Sequence, residues 1–363
     1  MKLKAIFSFV LILPSFLLAQ VFNSANLDIG NVSACFSSDG KLFYPPSSGP
    51  RFEVPKGSSD NASYAGHLWI GGLDFQGLLH VAAQTYRQSG SDYFQGPIMT
   101  STNYSSAQDA LWNRVWKINK STIDSFRMDL YTNTPQIILD WPGNGNVALG
   151  QAAQLAPYKD VNNDNLYNPA DGDFPCIKGD QAVYMIFNDD RNLHTESGGV
   201  KFGLEFHAMA YAFKDTLYPH LKNTVFLNYR IINRSANTFY NTYIGMWNDL
   251  EVGESSDDYV GSNVERDYYY GYNGDNMDGN GGPGSYGINP PALGVAFLKG
   301  PTANIGDGMN NDKDCLIDEL GESCLLSKFA YYNNDFTVTR NPVIDTNFYT
   351  YLQGKWKDNT SIT

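Results

Sequence analysis

Apolar and polar residues alternate along most of this chain in short runs, broken by Gly, Asn, Asp and Pro. Alternation with period two turns one side of a segment toward a core and the other toward water, the mark of a half-buried strand. Residues 224–232 carry it clearly. Val225, Leu227, Tyr229 and Ile231 fall on one face, and Phe226, Asn228, Arg230 and Ile232 on the other. Asn233-Arg-Ser-Ala-Asn237 then reads as a turn, and residues 238–247 resume an extended pattern, so the pair is expected to form a hairpin. Further strands are expected over residues 204–213, 182–187 and 293–298, and an aromatic one over 267–272. Long 3.6-residue periodicity is hard to find. The expected fold is all-β, with β-sandwich-like modules joined by Asx-rich calcium loops.

The pattern divides the chain. Residues 20–150 read as an N-terminal β-rich module. Residues 151–180 are a polar, Asn/Asp-rich junction, and residues 181–300 carry the best strand signals, a β-sandwich module. Residues 301–326 are an acidic insertion. Residues 327–363, with an aromatic run at 348–356, read as the start of a further β segment that breaks off, as in the N-terminal part of a longer protein.

Residues 1–19 differ from all the rest. Lys2 and Lys4 precede an apolar run from Ala5 to Leu13, which resumes after Pro14 and Ser15 and ends at Ala19 before Gln20. A basic start, a short apolar stretch and a small residue before a polar one is the layout of a cleavable signal peptide. The stretch is short of the ~20 apolar residues that span a bilayer, and no later segment reaches that length. The expected location is therefore secreted or on the outer cell surface. The formal net charge is −13, and losing Lys2 and Lys4 would make it more negative. Such a chain repels phosphate, so nucleic acid is excluded as a partner, while hard cations suit it. Four Cys (Cys35, Cys176, Cys315 and Cys324) allow two disulfides outside the cytoplasm. Cys315 with Cys324 and Cys35 with Cys176 is one of three pairings, and spacing does not choose among them.

Two loops carry metal chemistry. The first is Asp160-Val-Asn162-Asn-Asp164-Asn-Leu166-Tyr-Asn168-Pro-Ala-Asp171-Gly-Asp173. Oxygens at positions 1, 3 and 5, a backbone carbonyl at 7 and a carboxylate at 12 can wrap one Ca²⁺, which takes roughly six to eight hard oxygens. Here these are Asp160, Asn162, Asp164, the Leu166 carbonyl and Asp171. Asn165 stands where an EF-hand loop has Gly, and Asp171 where it has Glu. The alternative is a metal-free Asx turn. The second loop offers Asn310, Asp312, Asp314, Asp318 and Glu319, with Glu322 in reserve. Carboxylates so close repel one another unless a cation or solvent screens them.

Other motifs are weaker. Asp249, Glu251, Asp257 and Asp258 could form a third cation site or a paired-carboxylate centre, or a solvated loop. The tyrosines of residues 268–272 could stack on sugars or pack a core. Glu205 and His207 share a strand face, but no HExxH, GxSxG, P-loop or dinucleotide fingerprint occurs. Asn-X-Ser/Thr triplets stand at Asn31, Asn61, Asn103, Asn119, Asn233 and Asn359.

Several runs carry a family resemblance. Phe52-Glu-Val-Pro-Lys-Gly57, His67-Leu-Trp-Ile-Gly-Gly72 and His80-Val-Ala-Ala-Gln-Thr-Tyr-Arg-Gln-Ser-Gly90 resemble large exported proteins of Bacteroidetes-type bacteria that end in a type IX secretion sorting domain. So do the Asp160 loop with Lys178-Gly-Asp-Gln181, residues 204–213 and residues 233–247. The resemblance covers nearly the whole chain after residue 19. It implies passage through the outer membrane with surface attachment or release, and no activity. The sorting domain itself is absent from this sequence. The expected function is a calcium-binding structural or adhesion protein without enzymatic activity, with an extracellular polysaccharide or cell-surface partner. The alternative is a carbohydrate-binding module or glycoside hydrolase using the 268–272 tyrosines and Asp249, Glu251, Asp257 and Asp258.

Overall fold

The structure is a computed structural model describing residues 22–44, 51–85, 90–214, 217–304, 306–314, 316–332 and 337–362. The expected signal peptide and Cys315 lie outside the described residues. In chain order the strands are β1 (Ser24–Leu27), β2 (Ser33–Ser37), β3 (Phe52–Glu53), β4 (Ala65–Leu73), β5 (Leu79–Ala82), β6 (Phe94–Gln95), β7 (Trp116–Asn119), β8 (Tyr158–Lys159) and β9 (Phe174–Pro175). They continue as β10 (Gln181–Asn188), β11 (Leu204–Ala212), β12 (Phe226–Asn233), β13 (Tyr240–Asp249), β14 (Asp258–Asn263), β15 (Tyr268–Asn273), β16 (Met277–Asp278), β17 (Gly287–Ile288) and β18 (Ala292–Ala296). Among the described residues four α-helices accompany them: α1 (Ser106–Trp112), α2 (Lys120–Arg127), α3 (Gln136–Leu139) and α4 (Asp345–Leu352). Of the described residues, 31% are extended and 13% helical when short 3₁₀ turns are included. Every pairing between these strands is antiparallel, so the all-β class holds.

β10 explains the unbroken apolar run of its sequence. All eight of its residues are buried. Val183, Met185 and Phe187 join Phe206, Ala208 and Ala210 of β11 in one apolar cluster with Phe36 of β2 and with Leu68 and Ile70 of β4. The opposite parity, Ala182, Tyr184 and Ile186, enters a second cluster with Trp112, Trp116, Ile138 and Trp141. A strand covered on both faces needs no polar positions. Phe187 stacks on Phe206 at 4.9 Å between ring centroids. Gly40, at φ +87°, leaves no room for a side chain there, because a Cβ would lie 2.5 Å from the Phe187 ring.

Strands from residues 20–150 and 181–300 pair with one another. β6 and β7 both pair with β10, and β4 pairs with β13. The expected hairpin of β12 with β13 is not formed. β12 pairs with β11, while β13 pairs with β4. The reason lies in the intervening turn. Asn233 Oδ1 accepts from Ser235 N at 2.9 Å and its Nδ2 donates to Asn237 O at 2.7 Å, and Arg234 N donates to Gly203 O at 2.9 Å. The turn thus sends the chain from one sheet to another instead of folding it back.

The aromatic run at 348–356, expected as a strand, is largely helical. Phe348, Tyr351 and Leu352 fall three and four residues apart on α4, and the first two are buried against Trp69, Val81 and Ala83. Asp345 sits in the first turn, where the helix dipole favours a carboxylate. Gly354 at φ +68° supplies the left-handed residue just past the end. The cross-link between Cys35 and Cys176 is also not made. Cys35 is a free thiol buried in β2, Cys176 is free and exposed, and Cys324 is free too. The apolar surroundings that exclude water from Cys35 push its thiol up to about 11.

Candidate metal centre

The second acidic loop is closed at its base by Cys324 N donating to Pro301 O at 2.8 Å and Ala303 N donating to Glu322 O at 2.9 Å. Above that stem, carboxylate oxygens of Asp312, Asp314 and Glu319 all lie within 4.8 Å of one another. Asp312 Oδ1 and Glu319 Oε2 are shut off from solvent and accept no hydrogen bond. Such oxygens, shared among like charges, cost free energy until a donor or a cation reaches them. A backbone hydrogen bond lowers the Glu319 carboxyl, but desolvation and the charges of Asp314, Glu322 and Asp312 outweigh it and leave the group raised.

The other two expected ligands accept backbone hydrogen bonds, as Asp314 Oδ1 also does from Leu316 N at 2.8 Å. Asn310 Oδ1 accepts from Asp314 N at 3.2 Å. Asp318 accepts from Gly308 N at 3.1 Å and so closes the turn at the start of the loop. Glu322 is buried and accepts from Asn311 N, a structural task. One tie is invisible in the spacing. Lys313, between two of the clustered carboxylates, donates to Val264 O at 2.6 Å and Asp267 Oδ1 at 2.5 Å. It anchors the loop to the turn between β14 and β15.

The first loop is a chain of Asx turns. Asp160 accepts from Asn163 N at 2.7 Å and Asn165 N at 2.8 Å. Asn162 Oδ1 accepts from Asp164 N at 3.1 Å, and Asp164 Oδ1 from Leu166 N at 2.8 Å. Asn163 and Asn165 are left-handed, at φ 60° and 65°. Asn tolerates that conformation, which is why it can stand where an EF-hand loop has Gly. Asp171 is held by Asn168 Nδ2 at 2.7 Å. Sequence reasoning assigned no task to Asp173. It is fully buried and accepts from Val161 N at 2.8 Å and Asn168 N at 2.9 Å, tying the two ends of the loop together. Among the described residues, Asp312, Asp314 and Glu319 form an acidic group compact enough to share one cation.

The third cluster is electrostatically tense. Burial raises Asp249 to about 6, with Arg51 opposing. Burial and Asp249 raise Glu251 to about 7. Burial raises Asp258 to about 7 despite a hydrogen bond from Val252 N, and Asp257, Asp278 and Glu254 add to the rise. A cavity of about 160 Å³ nearby is lined by Arg51, Tyr64 and Glu251 among others, and Glu251 is its one carboxylate. His207 hydrogen-bonds Glu205 and Tyr184 at 2.8 Å each, but all three are buried beyond reach of a substrate.

Among the described residues no helix is long and apolar enough to cross a membrane. Compared with known proteins, the chain matches no family model, no curated protein and no solved structure.

Proposed function

We propose that this chain is a calcium-binding structural protein of the cell exterior, without enzymatic activity. The observation that carries the reading is the convergence of Asp312, Asp314 and Glu319 with two solvent-excluded, unpartnered oxygens among them. A Ca²⁺ ion would supply the missing positive charge there, and the Leu166 loop, with its oxygens already turned by Asx bonds, would take a second. The two-sheet cluster around Phe36, Ile70, Met185 and Phe206 supports a β-sandwich-like scaffold. Export to the surface by a type IX route is proposed from the leader and the resemblance of the sequence. The glycosidase alternative lacks a second carboxylate in the cavity.

The test is thermal unfolding of the protein in calcium and in excess chelator. An extracellular-type site with Kd about 10⁻⁴ M, in about 10 mM Ca²⁺, gains about 2.7 kcal/mol. Asp314→Ala should abolish most of the gain. An identical melting curve in chelator would reject the proposal.

A further inference from the structure

The small sheet β14-β15-β18 buries one face and leaves the other open. Tyr269 is buried and its hydroxyl donates to Met246 O at 3.3 Å. Gly271 on the same side abuts Leu250. The opposite face carries a row of rings. Tyr268, Tyr270 and Tyr272 follow one another along β15 at 6.0 and 5.7 Å between centroids, and Tyr259 of β14 extends the row from Tyr272 at 6.0 Å. Tyr259 is 60% exposed and Tyr272 39%.

The strand register makes the surface around the rings flat. Tyr270 faces Gly261 on one side and Gly294 on the other, while Tyr272 and Tyr268 face Ala292 and Ala296. A Cβ at Gly261 would lie 2.6 Å from Cζ and the hydroxyl of Tyr270, so that ring leans across β14. Tyr259 leans in the same way over Gly274. Nothing stands within 4 Å of Gly294. The result is four rings beside a floor of small residues, with no charged side chain in the row or on the floor.

We propose that this face binds an uncharged polysaccharide. Three observations select that occupant. Rings spread along an extended strand offer successive apolar surfaces to a chain of sugar rings. No hydrogen bond from the protein to the four phenol hydroxyls is seen among the described residues, and a purely apolar partner would leave these groups desolvated without partners. A sugar supplies both the apolar ring face and the hydroxyls. The face is neutral on a protein of net charge −13, so a neutral glycan meets no repulsion where a polyanionic one does.

The inference is independent of calcium, and its test separates the two. The protein is run in native gels containing mixed-linkage β-glucan, galactomannan or arabinoxylan, with polygalacturonate as the anionic control, in calcium and in chelator. At least one neutral polymer should retard the protein and polygalacturonate should not. Tyr272→Ala and Tyr259→Ala are exposed enough to keep the wild-type melting temperature and should each weaken retardation about tenfold, a loss of about 1.4 kcal/mol. No retardation by any neutral polymer would overturn the proposal, as would equal retardation of folded Tyr→Ala variants. Self-association that these substitutions abolish would assign the face to a second copy of the chain instead. Retardation should persist in chelator; its loss there with melting unchanged would place calcium in the glycan site and overturn the tyrosine face as the binding surface, whereas unchanged retardation with unchanged melting would count against calcium as scaffold only.

Discussion

Asp249→Asn should make this protein more stable at pH 8 and change it much less at pH 4. Asp249 is held by its surroundings at about 6 instead of 3.8. The folded protein therefore keeps the extra proton between about pH 4 and pH 7 where the unfolded chain has lost it, and stability falls as pH rises through that window. Each tenfold change in proton affinity is worth about 1.4 kcal/mol, which sets a ceiling of about 3 kcal/mol for this side chain. Solvent reaching it reduces the figure to about 1–2 kcal/mol. Glu251, pushed to about 7 partly by Asp249 itself, relaxes when that charge is gone, so the gain does not fall below this range. For a protein of this size the effect is about 1–3 °C in melting temperature. The assay is thermal unfolding of wild type and variant from pH 4 to 9, in chelator at fixed ionic strength. A variant less stable than wild type at pH 8, or an offset of the same size at both ends, would refute the claim that burial of charge dominates here.

Other consequences separate tasks within the loops and core. Asp173→Ala should cost about 2–4 kcal/mol with or without calcium, since it strands two part-buried backbone N–H groups, whereas Asp164→Ala, which frees only an exposed N–H of Leu166, should cost more in calcium than in chelator; urea unfolding in both conditions checks this. Maleimide labelling of the native protein followed by peptide mass spectrometry should find Cys176 modified and Cys35 protected, and a Cys35–Cys176 disulfide peptide would contradict the free thiols. Phe187→Ala should cost about 3–5 kcal/mol, because the ring is fully buried against Phe206 and Gly40; the urea midpoint should drop at unchanged slope.

The strand content was legible because alternation is a local property. Residues 182–187, 204–213 and 293–298 all became strands within a residue or two of where the pattern put them. Partners were not legible. Nothing in residues 224–247 says that the Asn233 turn hands the chain from β11 to β4, since β4 lies far away in sequence. The helix α4 was missed because Phe, Tyr and Thr favour strands locally, and only the packing of Phe348 on Trp69 reveals the other period. In the acidic loops residue type pointed to cation ligands, but not to which oxygens remain free. Asn310 and Asp318 look equal to Asp312 and Glu319 on paper, yet backbone N–H groups occupy the first pair. Asp173 carried no signal at all, because a buried carboxylate that ties a loop is spelled the same as an exposed one.

The central claim is that a cation belongs at Asp312, Asp314 and Glu319. Isothermal titration of Ca²⁺ into the chelator-stripped protein tests it most directly, with Asp312→Asn/Asp314→Asn as the comparison. Saturable binding with Kd at or below about 10⁻³ M, one site fewer in the double variant, is the predicted result. No binding heat, with no calcium retained on dialysis by elemental analysis, would contradict the account.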